Sequence, residues 1–195
     1  MTFNLAPHSA FGASDVPVID VSSLSGGNRA ARLVIARRID AACRGCGFFF
    51  VVNHGIVLNA LQDRTSRFIG AFGRRKIPPR HRAYNPSSPR SRSGYYMALK
   101  GKKANESFCY LSPMFNEEHP RILAKTPLHE VNVWPDESGQ DGWKDFYEEY
   151  FWKVFHLSAV LLRGLALGLG KAEDFFERHF HMETTLSVVS LIRYP

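Results

Sequence analysis

The sequence is too poor in cysteine for a disulfide framework: three in 195 residues, with Cys43 and Cys46 separated by two residues and Cys109 far away. An odd count at that spacing excludes the stapled scaffold of small secreted domains. No apolar run approaches the roughly 20 residues of a membrane span, and residues 1–15 lack the basic start and apolar middle of a secretory signal. The expected location is therefore cytoplasmic. Cys43-Arg-Gly-Cys46 has half of a zinc pattern, but neither a second CxxC nor a suitably spaced histidine pair completes it. Cys43 is read instead as the end of a helix face and Cys46 as a small packed residue before a strand. Internal repeats and low-complexity segments are also missing. What is present is 45% hydrophobic and 13% aromatic residues, ample for a packed core in a chain of one-domain size.

Acidic residues are missing from one long stretch. Residues 74–103 hold ten basic residues (Arg74, Arg75, Lys76, Arg80, Arg82, Arg90, Arg92, Lys100, Lys102 and Lys103) and no acid, so the net charge of +7 arises locally. Such a block suits an anionic partner: nucleic acid, an acidic protein or an anionic small molecule. Its first half offers neither a reader helix nor interleaved stacking aromatics, so nucleic acid is not the expected partner.

The periodicities predict an α+β chain. Residues 1–15 read as a loose arm, and Val16 to Asp20 as a short strand fixed by Pro17. Leu33, Ala36, Ile39, Ala42 and Cys43 recur at helical spacing within Ala30 to Arg44. Gly47 ends that helix, and Phe48 to Val52 reads as a strand buried on both sides. Asn53-His54-Gly55 turns the chain, and Leu58, Leu61, Thr65, Phe68, Ile69 and Phe72 form the face of a next helix. The adjacent Pro78 and Pro79 cannot lie inside a helix; residues 73–89 either loop or carry a local reading-frame change.

Further along, Tyr95 to Leu99 and Glu106 to Leu111 read as strands joined by the Lys100 to Lys103 turn. Pro113 to Pro135 reads as irregular. Ser138 and Asp141 would cap the longest helix, whose stripe of Trp143, Phe146, Tyr147, Tyr150, Val154, Leu157, Leu161 and Leu165 is ordinary core. Gly168 and Gly170 are its stop signals. Lys171 to Phe180 reads as one more short helix, and Leu186 to Tyr194 as a strand. In that strand Leu186, Val188, Ser190, Ile192 and Tyr194 share one face, opposite Ser187, Val189, Leu191 and Arg193.

Several runs stand in a distinctive order: Val16-Pro-Val-Ile-Asp20, Gly47-Phe-Phe-Phe-Val-Val-Asn-His-Gly-Ile56, Arg92-Ser-Gly-Tyr-Tyr96, Glu106-Ser-Phe-Cys-Tyr-Leu111, Lys125-Thr-Pro-Leu-His-Glu-Val-Asn-Val-Trp-Pro-Asp136 and Ser187-Val-Val-Ser-Leu-Ile-Arg-Tyr-Pro195. In this order they resemble the isopenicillin N synthase family of non-haem iron oxygenases, over nearly the whole chain. The resemblance implies a domain plan: an arm (1–15), an N-terminal dioxygenase-type domain (16–137), a long and a short helix (138–185), and the first strand of a jelly-roll domain, the double-stranded β-helix (186–195). It also implies a reaction. Iron(II) and O2, without 2-oxoglutarate, close the tripeptide δ-(L-α-aminoadipoyl)-L-cysteinyl-D-valine into isopenicillin N in antibiotic biosynthesis. The partners are then the tripeptide and O2, with no nucleic acid or membrane, and the complete enzyme is a monomer.

The same resemblance distributes the site. Non-haem iron needs two imidazoles and a carboxylate on one face, which the family supplies from a His-x-Asp pair and a later His. No His-x-Asp occurs here. His181-Met-Glu183 imitates the spacing outside the family's ligand positions, and His54 and His129 are read as structural. No metal ligand or catalytic residue is thus assigned, and the 195-residue chain alone is expected to be inactive. The substrate carries carboxylates at both ends. The resemblance puts Arg92 on the aminoadipoyl carboxylate, where a guanidinium fork can make two parallel bonds, with Tyr96 beside it and Tyr194 on the valine carboxylate. The family serine six residues before that tyrosine is Val188 here, leaving Ser190 as the better local substitute because Ser187 faces away. Cys109 resembles a pocket-lining family cysteine, shaping the site and not attacking as a nucleophile. Two other readings remain: a 2-oxoglutarate-dependent oxygenase of the same superfamily, of the cephalosporin ring-expansion type, and a non-catalytic truncated binding protein.

Overall fold

The structure, a computed structural model, describes residues 16–57, 61–65, 106–132, 134, 142–181 and 185–193. The elements expected over Tyr95 to Leu99 and 66–72, the 73–89 segment and the Ser138/Asp141 cap lie outside these. The architecture is α+β. The described elements are β1 (Val18–Asp20), α1 (Ser22–Gly26), α2 (Arg29–Arg44), β2 (Phe50–Val52), a helical stretch over 61–65 (α3), β3 (Glu106–Leu111), α4 (Pro120–Leu123), α5 (Trp143–Gly168) and β4 (Val188–Arg193). Two compact units divide the chain: residues 1–56 with 154–180, and residues 57–153 with 181–195.

In the first unit β1 and β2 pair in parallel, Val18 opposite Phe50 and Asp20 opposite Val52. Strand alternation turns Ile19 inward, where it is fully buried with Val21, Leu24, Ile35, Ile39 and Ala42, while Phe49, Val51, Leu157, Val160, Leu161 and Leu165 pack around them. Asn28 caps α2 by accepting from the Ala31 amide at 2.9 Å, satisfying one of the orphan donors of a helix start. The turn after β2 is held by chemistry as well as by sterics. Asn53 sits at φ 58° and Gly55 at φ 78°, and the Asn53 amide donates to the Asp20 carboxylate at 2.7 Å. The Ser22 amide donates to the same carboxylate, and these bonds hold Asp20 below its ordinary acidity range. The His54 ring accepts from the Ile56 amide at 3.2 Å, a turn-shaping role.

Gly164 and Gly168 set how closely α5 lies against α2. A Cβ on Gly164 would stand 3.2 Å from Ile39 Cδ1, and one on Gly168 only 2.9 Å from the Ala36 carbonyl oxygen. Gly168 thus does more than end the helix: it admits a neighbouring backbone.

Four expectations need correction. Phe48, Phe50 and Val52 are exposed, so β2 is buried on one side and not on both; the helix residues Leu157, Val160, Leu161 and Leu165 pack on the side of Ile19 and Val51. Cys43 is exposed and does not complete the buried face of α2, whereas half-buried Cys46 points its thiol at the Phe48 carbonyl, 3.0 Å away. Within Pro113 to Pro135 a short helix, α4, forms because His119 accepts from the Arg121 amide and Pro120 supplies a first-turn φ. Lys171 to Phe180 forms turns and a single 3-10 turn, Glu177–His179, in place of a short helix. Ion pairs Arg32–Glu173 (3.0 Å) and Arg163–Glu177 (2.6 Å) tie this segment to helices of its own unit.

Candidate substrate-binding surface

The second unit is built on an antiparallel pair, β3 and β4, in the register Phe108 to Leu191, Cys109 to Ser190, Tyr110 to Val189 and Leu111 to Val188. Period-two alternation gives this ribbon two unlike faces. Phe108, Tyr110 and Leu191 are buried. Cys109 and Ser190 lie on the other face, directly opposite each other, with the thiol sulfur 3.2 Å from the serine hydroxyl oxygen. Either can donate. The two residues proposed from the sequence as pocket-lining are therefore one contact, half-exposed at Cys109 and exposed at Ser190. Val188, at the position of the family serine, lies on the same face one pleat further along. Alternate residues of a strand are about 7 Å apart, so Ser190 offers its hydroxyl beside Cys109 and not at the place where a serine at 188 would offer one. Arg92, Tyr96 and Tyr194 lie outside the described residues.

The buried face of the ribbon rests on aromatics. Tyr110 is fully buried and donates its hydroxyl to the Tyr147 carbonyl at 2.9 Å. Its ring lies 5.2 Å from that of Trp134, 5.9 Å from Tyr147 and 6.3 Å from Phe151, within the range where tilted rings attract. Tyr147 in turn meets the Thr65 hydroxyl at 3.2 Å. Burial outweighs the Thr65 bond and nearby Arg64, and pushes the Tyr147 phenol up to about 12; burial raises Tyr110 as well. Both phenols are thus kept neutral, as supports and not as acids.

Asn132 was missed by sequence reasoning. Its side-chain oxygen accepts from the Leu111 amide at 2.7 Å and its NH2 donates to the Leu111 carbonyl at 2.8 Å. The amide imitates a strand neighbour on the edge of β3, two residues from Cys109. The one available signal was a polar residue between the apolar Val131 and Val133.

His129 is buried, edge-on to Phe115 at 4.9 Å, with Nδ1 3.0 Å from the Pro127 carbonyl and Nε2 buried without a hydrogen-bond partner. Of the His181-Met-Glu183 imitation only His181, exposed, lies among the described residues. No group of three or more His, Cys, Asp or Glu side chains that could hold a metal ion occurs among the described residues. These residues do not fit an iron centre by themselves, and no step through a metal is assigned to them.

For this α+β chain, with its antiparallel β3–β4 ribbon and the thiol–hydroxyl contact across it, comparison with known proteins defines a class. A family model described as non-haem dioxygenase in morphine synthesis N-terminal matches residues 16–137, and the chain belongs to this family of non-haem dioxygenase N-terminal regions. Among curated proteins, the isopenicillin N synthase of Lysobacter lactamgenus is 57% identical over 183 residues, covering 93% of this chain and 56% of that protein. That of Penicillium chrysogenum is 52% identical over 184 residues, with the same two coverages. The chain therefore spans about half the length of the curated relatives it matches. Of solved structures, a 2OG-Fe(II) oxygenase family protein from Caulobacter crescentus is similar with a TM-score of 0.68 at 16% identity, covering 92% of this chain and 56% of that one; this likeness concerns the fold alone.

Proposed function

We propose that this chain is the tripeptide-gripping part of an isopenicillin N synthase, and that the complete protein oxidatively closes δ-(L-α-aminoadipoyl)-L-cysteinyl-D-valine to isopenicillin N with O2. The observation that carries the reading is 57% identity to an isopenicillin N synthase over 93% of the chain. The Cys109–Ser190 contact, with Ser190 exposed and Cys109 half-buried, supports it, since two small groups side by side leave room for a ligand beside them. In this reading β4 begins the jelly roll, and iron(II), held by residues outside this chain, supplies the oxygen chemistry without 2-oxoglutarate. The chain's own residues bind and orient. Arg92 takes the aminoadipoyl carboxylate with Tyr96 beside it, Tyr194 takes the valine carboxylate, and Cys109 with Ser190 shapes the wall between. Holding a flexible peptide in one reactive geometry is itself a large part of catalysis.

The test is O2 consumption by the complete protein with iron(II) and the tripeptide. Turnover without 2-oxoglutarate is expected, and turnover that requires 2-oxoglutarate would overturn the reading in favour of a ring-expansion type oxygenase. The 195-residue chain assayed alone should give none. In the complete protein Arg92→Ala should weaken tripeptide binding by about 2 to 5 kcal/mol, because a carboxylate loses its charged partner. Unchanged affinity in calorimetry rejects the role of Arg92.

A further inference from the structure

The Cys43-Arg-Gly-Cys46 run takes no part in the substrate surface, and the fold gives Cys43 no packing role. The buried residues of α2 are Ile35, Ala36, Ile39 and Ala42, and Cys43 lies off that face. The two cysteines straddle the helix end: Cys43 is in the last turn of α2, which closes at Arg44, and Cys46 follows just outside it. The Gly45 amide donates to the Ala41 carbonyl at 2.9 Å and the Gly47 amide to the Ala42 carbonyl at 3.0 Å, so the turn that carries Cys46 folds back on the helix. Helical residues three apart lie on the same side with Cβ atoms about 5 to 6 Å apart, and a disulfide needs about 3.5 to 4.5 Å. The glycines on either side of Cys46 let the turn close that gap, since Gly47 sits at φ 79° and neither carries a Cβ to restrict the backbone. All of this lies within a few consecutive residues of one unit.

Two thiolates are half of a tetrahedral metal site, and among the described residues no group of three or more His, Cys, Asp or Glu side chains suits a metal ion. Thiol–disulfide exchange is the chemistry that two neighbouring thiols perform by themselves. We propose that Cys43 and Cys46 form a reversible dithiol–disulfide site that exchanges with a low-molecular-weight disulfide, RSSR. One cysteine, its proton lost to solvent, attacks RSSR; a mixed disulfide forms on the protein and RS⁻ leaves. The second cysteine, likewise deprotonated, attacks the protein-side sulfur of that mixed disulfide, which forms the Cys43–Cys46 bond and releases a second RS⁻. The pair thus loses two electrons and two protons, and RSSR is reduced to two RSH. The second step is intramolecular and gains from high effective concentration. The Cys46 thiol donates to the Phe48 carbonyl at 3.0 Å, a bond that only the reduced form makes, so excess thiol reopens the disulfide. The inference is independent of which substrate the enzyme takes.

The test is exposure of the complete protein to oxidised glutathione, followed by acid quenching, maleimide capture of remaining thiols and peptide mass analysis. Trypsin cuts at Arg44, between the two cysteines, so a closed pair leaves two peptides joined by a disulfide, and an open pair leaves two separate ones. Joined peptides from protein of monomer mass are expected. Cys43→Ser and Cys46→Ser should each retain glutathione on the remaining cysteine, at a level about tenfold or more above that on the wild-type pair, where the second thiol displaces it. Excess reduced glutathione should restore both thiols. Wild-type protein that carries glutathione without closing, stays fully reduced, or joins these peptides only in a dimer overturns the proposal, as does a closed bond that resists excess reduced glutathione. The wild-type result decides the matter by itself should either variant fail to fold.

Discussion

Asn132→Ala should loosen the end of β3 beside Cys109. The substitution removes the acceptor of the Leu111 amide at 2.7 Å and the donor to the Leu111 carbonyl at 2.8 Å. Leu111 is buried, so water cannot simply replace the lost partners. An unsatisfied buried polar group costs about 1 to 3 kcal/mol; two groups, with partial relief from water entering the vacated space, give about 2 to 4 kcal/mol. At 1.36 kcal/mol per factor of ten, hydrogen-exchange protection at the Leu111 amide should fall roughly 30- to 900-fold. Asn132→Asp sharpens the test, since it keeps an acceptor for the amide but sets a carboxylate oxygen against the Leu111 carbonyl. Near neutral pH it should be at least as damaging as alanine, and acidification should recover part of the loss as the protonated carboxyl donates. Less than threefold loss of protection in Asn132→Ala, or an aspartate variant indifferent to pH, would refute the clamp.

Gly168→Ala pits two effects of opposite sign. Helix propensity favours alanine by about 1 kcal/mol, but its Cβ would meet the Ala36 carbonyl oxygen at 2.9 Å, a clash that costs about 1 to 3 kcal/mol; a lower urea midpoint is expected, and a raised one would show that the contact yields freely. Alkaline titration should destabilise the second unit. Tyr147 is raised to about 12 by burial, and Tyr110 is raised too, so the unfolded chain ionises first: stability is intact below about pH 10, falls as pH rises beyond it, and is lost as the folded-state value is passed. Tyrosinate absorbance rising in step with unfolding checks this, and tyrosines ionising at ordinary pH in the folded protein would contradict it. Tyr110→Phe removes the hydroxyl bond to the Tyr147 carbonyl and should cost about 1 kcal/mol in the same urea assay, with no change there arguing that the ring alone matters.

The helix over Arg29 to Arg44 was legible because its apolar residues recur every three or four positions, a local signal that a single buried face imposes. The Asn53-His54-Gly55 turn was legible because few residues tolerate positive φ. β2 misled for the converse reason: Phe48 to Val52 is apolar at every position, and composition cannot tell which side is covered. Lys171 to Phe180 carried helix-compatible residues, but the segment forms turns, with Glu173 and Glu177 paired to Arg32 and Arg163 of this chain's helices. The Cys109–Ser190 contact was half legible, since alternation assigned Ser190 to its face while only strand register could set Cys109 opposite.

By itself the sequence determined the family, the α+β class and the alternation of β4, because motifs and periodicity are properties of neighbours along a chain. The tertiary structure decided that Cys109 meets Ser190, that Asn132 stands in for a strand at Leu111, and that Gly168 admits the Ala36 backbone. Each of these joins residues 21 to 132 positions apart, from Leu111–Asn132 to Ala36–Gly168. Contacts at such separations depend on register and packing, which no local propensity encodes.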